Sequence, residues 1–361
     1  MLHRYSKDKN GKLVQLAVVY EKKEHGICRE SIDSDALRVV EHLRGCGFES
    51  YIVGGAVRDL LVEKIPKDFD IVTSATPSKI KRLFKNSRII GKRFRLVHVF
   101  FGEKIFEVST FRSVIAGSVG NDFGTIDEDV QRRDFSLNAL YYDPIKEQVV
   151  DFVGGVQDVQ KKIIRPVIPL ERIFEEDPVR LLRAVKFSAT LNFKMPHALK
   201  SKIRKSGHLL STISPSRLTE ELMKIINGSH SYEIVSAMME YDIFMYLQPI
   251  ACSMMAGSRQ FERDYMAHLK GMDDFTREHK DSRFGKKLSF MLFDFVSSLT
   301  DWNRESKDQT SASELYTKTW TQCRNFVLPM NPPRAELEFA IKEVLFKLGI
   351  NIKVEKRVAN Q

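Results

Sequence analysis

The chain has 361 residues, 43% of them hydrophobic and 29% charged, and a formal net charge of +10. That length supports two or three substructures with their own cores, and the excess of Lys and Arg points to a polyanionic partner whose binding weakens as salt rises. Cys28, Cys46, Cys252 and Cys323 stand apart with no Cys-x-x-Cys pair, which argues against a disulfide framework or a zinc ribbon and suits a reducing cytoplasm.

The polar stretch Met1 to Lys12 and the apolar run Leu13 to Tyr20, far too short to cross a bilayer, show neither a signal peptide nor a membrane span. Residues 1–30 therefore read as an N-terminal arm, either a short surface strand or disordered. From Ser31 to Arg44, Ile32, Ala36, Val39, Val40 and Leu43 recur on one helical face. Tyr51 to Val53 follows as a strand, Gly54-Gly55 as a turn, and Ala56 to Leu61 as a helix with Arg58 in its first turn. Two glycines let backbone N–H groups approach a phosphate at a helix start, and a guanidinium there adds charge. After a turn over Lys64 to Lys67 comes Asp68-Phe69-Asp70-Ile71-Val72. The two-residue period of a strand sends Asp68 and Asp70 to one face and Phe69 and Ile71 to the other. Two carboxylates held together repel each other, and hard Mg²⁺, which favours carboxylate oxygen plus substrate phosphate, relieves that cost. An Asp-x-Asp alone is more often a solvated loop. The glycine turn just upstream is what makes this pair read as a nucleotidyl-transfer site with Asp68 and Asp70 as metal ligands.

Lys79 to Phe84 reads as a helix, and Leu96 to Phe101 and Ile105 to Phe111 as strands. Alternation in the last puts Glu107 and Ser109 on one face, so Glu107 joins the aspartates if its strand neighbours theirs and is an exposed strand residue otherwise. The Gly- and Ser-rich run between Arg112 and Gln131 reads as a mobile loop. Asp134 then precedes Phe135-Ser136-Leu137-Asn138, either as an N-cap or, with Asn138 four residues on along the same helical face, as a pair able to hold a ribose hydroxyl. Beyond Pro169 the chain turns helical. Asp177-Pro178-Val179-Arg180 starts a helix whose apolar face is Val179, Leu182, Val185 and Ala189. Arg180 opposes the helix dipole in that first turn, and a base edge gives it a reason to be there. A carboxylate accepts from an exocyclic amine and a guanidinium donates to a ring nitrogen, so Asp177 with Arg180 suits adenine or cytosine. Guanine or uracil would leave buried partners unpaired. Further helices are expected over Ala198 to Lys205, Pro215 to Ile226, Tyr232 to Leu247 and Ala335 to Leu348, with Glu221 structural and Met238, Met239, Met245, Met254 and Met255 as core filler.

Five blocks in one order carry a family resemblance: Gly54-Gly55-Ala56-Val57-Arg58-Asp59, Lys67-Asp68-Phe69-Asp70, Glu107-Val108-Ser109-Thr110-Phe111-Arg112, Arg132-Arg133-Asp134-Phe135-Ser136-Leu137-Asn138-Ala139-Leu140 and Glu176-Asp177-Pro178-Val179-Arg180. They resemble the class II nucleotidyltransferases, the group of bacterial poly(A) polymerase I and the tRNA CCA-adding enzymes. The resemblance implies an α/β nucleotidyltransferase head, a mixed sheet with flanking helices, over residues 31–168. An all-α neck with the base-recognition element would follow over 169–230, and a helical body that binds RNA over 231–361. It implies two Mg²⁺ ions on Asp68 and Asp70, and a third acidic group in Asp134 or Glu107, with the larger role expected for Asp134. Gly54, Gly55 and Arg58 would take phosphates, Asn138 the ribose, and Asp177 and Arg180, with Arg183 behind them, the base. Ile89-Ile90-Gly91-Lys92-Arg93-Phe94-Arg95 and His25-Gly26-Ile27-Cys28-Arg29 look like blocks of the poly(A) enzymes. The expected function is template-independent addition of AMP from ATP to RNA 3′ ends. The alternatives are CCA addition to tRNA from CTP and ATP and, in another class, a catalytically silent RNA-binding protein, against which the intact Asp68/Asp70 pair argues.

Overall fold

The computed structural model describes residues 2–7, 13–91, 96–113, 123–299 and 312–350. Runs of β-branched and aromatic residues become the strands of one mixed sheet: β1 (Leu2–Lys7), β2 (Leu13–Glu21), β3 (Ser50–Val53), β4 (Asp70–Thr73), β5 (Ser87–Ile90), β6 (Leu96–Phe101), β7 (Lys104–Thr110), β8 (Leu140–Asp143) and β9 (Gln148–Asp151). Their order is β1-β2-β9-β8-β3-β4-β7-β6-β5. Among the described strands β4 and β7 run parallel, and every other neighbouring pair is antiparallel.

Of the two forms expected for the start of the chain, a short surface strand or a disordered arm, Leu13–Glu21 takes the strand. β2 pairs with β9, with Val19 opposite Val150, and β1 adds beyond it as an edge. The apolar run Leu13 to Tyr20 is visible in the sequence, but its partner β9 lies about 130 residues away and no local signal names it.

Helices cover both faces. α1 (Ser34–Gly45) starts where the Asp33 carboxylate accepts from the Asp35 N–H, and buries Ala36, Val39, Val40 and Leu43 at i, i+3, i+4 and i+7. Each Val or Leu buried this way contributes about 1.5–3 kcal/mol. The Ser50 hydroxyl donates to the Val40 carbonyl, which sets α1 on the Ser50 face of β3. The opposite face, that of Tyr51 and Val53, packs with Val72, Tyr141 and Val150 against Ile126 and Val130 of α4, once α2 (Gly55–Leu61), α3 (Pro77–Leu83), α4 (Ile126–Gln131) and α5 (Gly155–Gln160) are numbered in order. Tyr51 and Tyr141 meet edge to face there at 6.1 Å.

The chain divides into two units, Met1–Ile173 with Lys194–Pro196 and Phe174–Phe193 with His197–Gln361. The second is helical in its described residues: α6 (Val179–Leu191), α7 (His197–Ser206), α8 (Pro215–Ile226), α9 (Ser231–Glu240), α10 (Pro249–Gly257), α11 (Arg259–Glu278), α12 (Phe284–Leu299), α13 (Ala312–Phe326) and α14 (Arg334–Lys347). The single helix expected over Tyr232 to Leu247 is two pieces. α9 stops at Glu240 because Asp242 takes a left-handed φ of 58°, and a 3₁₀ turn resumes at Phe244–Tyr246. Met238 and Met255 are core residues as expected, whereas Met245 is 53% exposed. Among the described residues no helix is long and apolar enough to cross a membrane.

Candidate active site

β4 opens at Asp70, opposite Val53 at the end of β3, and the chain turns at once through Gly54 into α2. Gly54 has φ 70° and ψ −128°, backbone that a side chain strongly disfavours. On the other side of β4, β7 runs parallel with Ile71 beside Val108 and Val72 beside Ser109. Asp70 and Glu107 each stand one residue before the first of these pairs and share the Val53–Val72 face. The adjacency that the sequence left conditional is thus present, and Glu107 is exposed there with His98 Nε2 at 3.5 Å.

Asp68 is placed differently from the expectation. It lies in the loop before β4, because the position that would pair with it, Gly55, already belongs to α2. The alternation in burial persists, with Asp68 and Asp70 exposed and Phe69 and Ile71 buried. Asp68 borders a cavity of about 650 Å³ shared with Glu30, Asp33, Lys67 and Glu103. Exposed carboxylate oxygens suit a hard cation that keeps much of its water and is held jointly by substrate phosphate. Among the described residues no group of three or more ligating side chains is already gathered as a cage.

Behind the glycine turn, the buried Arg58 donates from Nη1 to Asn138 Oδ1 at 2.7 Å and from Nε and Nη2 to Asp59 Oδ1 at 2.9 and 2.7 Å. Asn138 ends a 3₁₀ turn, Ser136–Asn138, capped by Phe135. The helical face expected to align Asp134 with Asn138 does not exist. Asp134 sits ahead of the turn, where its Oδ1 accepts from the Phe135 N–H at 2.8 Å. The cause is close packing: Gly155 at the start of α5 lies so near that a Cβ there would come 2.2 Å from the Ser136 carbonyl oxygen, while Ser136 Oγ bonds to Asp158 at 2.5 Å.

A group absent from the sequence reading lies beneath this turn. Asp129 of α4, 1% exposed, is bonded by Arg112, Arg133 and Tyr141. Burial alone would raise its pKa, but the two guanidiniums hold the carboxyl far below the usual carboxylate range. The i, i+4 spacing of Asp129 and Arg133 was the one local signal for it.

In the helical unit, α6 begins at Val179 after Pro178, and Asp177 Oδ1 accepts from the Val179 N–H at 3.1 Å. Val179, Leu182 and Val185 are buried as expected, joined by Leu181 and Ala184, while Ala189 is half-buried. Asp177 and Arg180 hold other partners: Asp177 Oδ2 accepts from Arg217 Nη2 of α8 at 2.6 Å, and Arg180 Nη1 donates to Glu176 at 3.2 Å. Arg217, inside the helix expected over Pro215 to Ile226, is therefore a member of this element. Asp177 keeps acceptor capacity beyond its two bonds. Arg183 meets the buried Glu221 at 3.3 Å, and Arg183, Lys186 and Lys224 lower the Glu221 pKa against the upward push of burial. Arg93 and Arg95, most of the loop after Arg112, and the end of the chain beyond residue 350 lie outside the described residues.

Residues 50–165 match the model of the poly A polymerase head domain, and residues 192–255 match that described as "Probable RNA and SrmB- binding site of polymerase A". The chain is 41% identical over 277 residues to poly(A) polymerase I of Salmonella typhimurium, covering 72% of this chain and 60% of that protein. It is 40% identical over 205 residues to the CCA-adding enzyme of Lactobacillus helveticus, covering 54% of this chain and 50% of that one. The crystal structure of the Bacillus stearothermophilus CCA-adding enzyme in complex with CTP superposes with a TM-score of 0.57 at 26% identity, over 87% of this chain and 82% of that chain. The match to the poly(A) polymerase spans about 60% of that relative's length.

Proposed function

We propose that this chain, whose residues 50–165 belong to the poly A polymerase head domain family, adds AMP from ATP to RNA 3′ ends without a template. The observation that carries the reading is the meeting of three features on one sheet face: the Gly54 turn, Asp70 opposite Val53, and Glu107 beside Asp70 on β7. In the reaction the RNA 3′-oxygen bonds to the α-phosphorus, the bond to pyrophosphate breaks, and the 3′-hydroxyl loses its proton. Asp68 and Asp70 would hold Mg²⁺, which when bound lowers the pKa of the hydroxyl and neutralises charge on the leaving group.

The chain's own residues supply position. The Gly54 N–H donates to the Leu140 carbonyl at 3.2 Å, so the turn offers phosphate oxygens its Gly55 N–H, and the buried Arg58 guanidinium, bonded to Asn138 and Asp59, adds positive charge behind it. Asn138 has its Oδ1 engaged by Arg58, which leaves its amide nitrogen as the donor for a ribose hydroxyl. Asp177 accepts from the exocyclic amine and Arg180 donates to the ring nitrogen, with Arg217 and Glu176 fixing the two side chains and Arg183 anchored to Glu221 behind them. ATP is favoured over CTP by the reach of the poly(A) polymerase match, 72% of the chain against 54% for the CCA-adding enzyme. CCA addition stays the second reading on the strength of the superposition with the CTP-bound enzyme.

The test supplies each nucleoside triphosphate separately, with Mg²⁺, to a generic single-stranded RNA and to a tRNA lacking CCA. Long A tracts on both primers, with CTP ignored and activity falling steeply with salt, support polyadenylation. CTP incorporation followed by one A and termination on the tRNA alone overturns it in favour of CCA addition.

A further inference from the structure

We infer that Asp129 is a positioning residue of the nucleotide site: it fixes Arg133, and through Arg133 the Asn138 backbone behind the Gly54 turn, so that phosphate and ribose contacts are in place before the nucleotide arrives. The inference rests on the nucleotidyl-transfer reading of the same site.

The geometry is that of a hub. Asp129 Oδ2 accepts from Arg133 Nε and Nη2 at 3.1 and 2.9 Å and from the Tyr141 hydroxyl at 2.7 Å. The remaining Arg133 nitrogen, Nη1, donates to the Asn138 carbonyl at 3.1 Å and lies 3.6 Å from where a Gly54 Cβ would stand. Asn138 in turn binds Arg58 at 2.7 Å. Asp129 Oδ1 accepts from the Arg112 Nε at 2.8 Å and its N–H at 3.3 Å, two residues past the end of β7, the strand that carries Glu107. One carboxylate thus ties together the end of the Glu107 strand, the Asn138 turn and the β8 strand.

Stability alone is a poor reason for such a group. A buried ion cluster is commonly matched or exceeded by apolar residues of the same volume, because removing charges from water costs as much as their attraction returns. Its specific property is geometric. Five donors converge on two oxygens and leave Arg133 a single orientation, in which its free edge faces the Asn138 carbonyl.

Asp129→Asn keeps the shape and one acceptor oxygen while removing the charge, and it turns the other acceptor position into an N–H₂ donor, so the five donors no longer all find an acceptor. Arg133→Lys is the second variant, since an ammonium cannot span Asp129 and Asn138 together, and it serves if the first does not fold. With nucleotide and primer varied separately, we expect the nucleotide KM to rise about tenfold and the primer KM to stay within twofold. A fluorescent ATP analogue should bind about tenfold more weakly in Mg²⁺, and the Arg133 Nε–H should exchange with solvent at least tenfold faster by ¹⁵N NMR. A fall in kcat with both KM values unchanged marks a lost active fraction and overturns the inference, as does unaltered Arg133 exchange in Asp129→Asn. A wild-type protein that binds the analogue but transfers nothing overturns the transfer reading, and the binding and exchange arms then decide the inference alone.

Discussion

Replacing Glu107 by glutamine separates the two carboxylates that compete for the third acidic role. Glu107 lies on β7 beside Asp70 in parallel register, with its side chain 53% exposed and His98 as its partner at 3.5 Å. Loss of that pair costs stability less than about 0.5 kcal/mol, the range of an exposed ion pair. In the proposed reaction, loss of a charge beside the reacting phosphate would cost about 2.7–4 kcal/mol of transition-state stabilisation, or about 10² to 10³ in rate. Asp134 spends an oxygen on the Phe135 N–H, so Asp134→Asn should fall by less than about tenfold. The assay is single-turnover primer extension in Mg²⁺, with a thermal melt on each variant to exclude unfolding. The order favoured by the register reverses the one implied by the resemblance. Glu107→Gln within threefold of wild type, with Asp134→Asn down a hundredfold, would refute the reasoning from strand adjacency.

Arg217→Ala should blunt base choice, because Asp177 loses the 2.6 Å partner that holds it; the ratio of kcat/KM for ATP over UTP should fall about tenfold, and an unchanged ratio removes Arg217 from the element. Gly155→Ala should destabilise the head by more than about 2 kcal/mol, since its Cβ would meet the Ser136 carbonyl at 2.2 Å, and urea melts within 0.5 kcal/mol of wild type would contradict that packing. In the helical unit, Asp294 at 2.8 Å raises the His268 pKa above its ordinary value. The stabilisation is therefore full below the unfolded pKa of about 6.5 and is lost as pH rises through the higher folded pKa. Asp294→Asn should be less stable than wild type at pH 6 and nearly equal at pH 9, and a gap that widens with pH would reverse the sign.

Local chemistry made some of this legible and distance hid the rest. The strand, glycine turn and helix over Tyr51 to Leu61 follow from β-branched residues, a residue pair that tolerates unusual backbone, and a short apolar face, all within eleven positions. Leu96 to Phe101 is the strand its alternation predicts. Asp68 misled because a two-residue period describes side-chain direction whether or not a neighbouring strand exists to pair with it. Phe135 to Asn138 misled because the pressure that tightens it into a 3₁₀ turn comes from Gly155, about twenty residues on. Arg217 stands 40 residues from Asp177, and its role is invisible until α8 folds beside α6.

The same distinction says where function can be read early. Groups that touch substrate need fixed residue types at short spacing, so Gly54, Arg58, Asp70 and Asn138, the contacts proposed here, are recognisable one block at a time. Groups that hold them in place, such as Asp129 for Arg133 or Arg217 for Asp177, need only a charge of the right sign at the right point in space, which many positions along the chain can supply. In the proposed site their effect on catalysis would nonetheless be first order: a guanidinium free to rotate gives up part of its binding energy in becoming ordered when the nucleotide arrives, whereas one already clamped does not. Specificity follows from the same rigidity. In the proposed base contact, a loosely held Asp177 could turn away from a guanine or uracil edge and escape the unpaired contact that would reject it, while an Asp177 pinned by Arg217 and by the Val179 N–H could not.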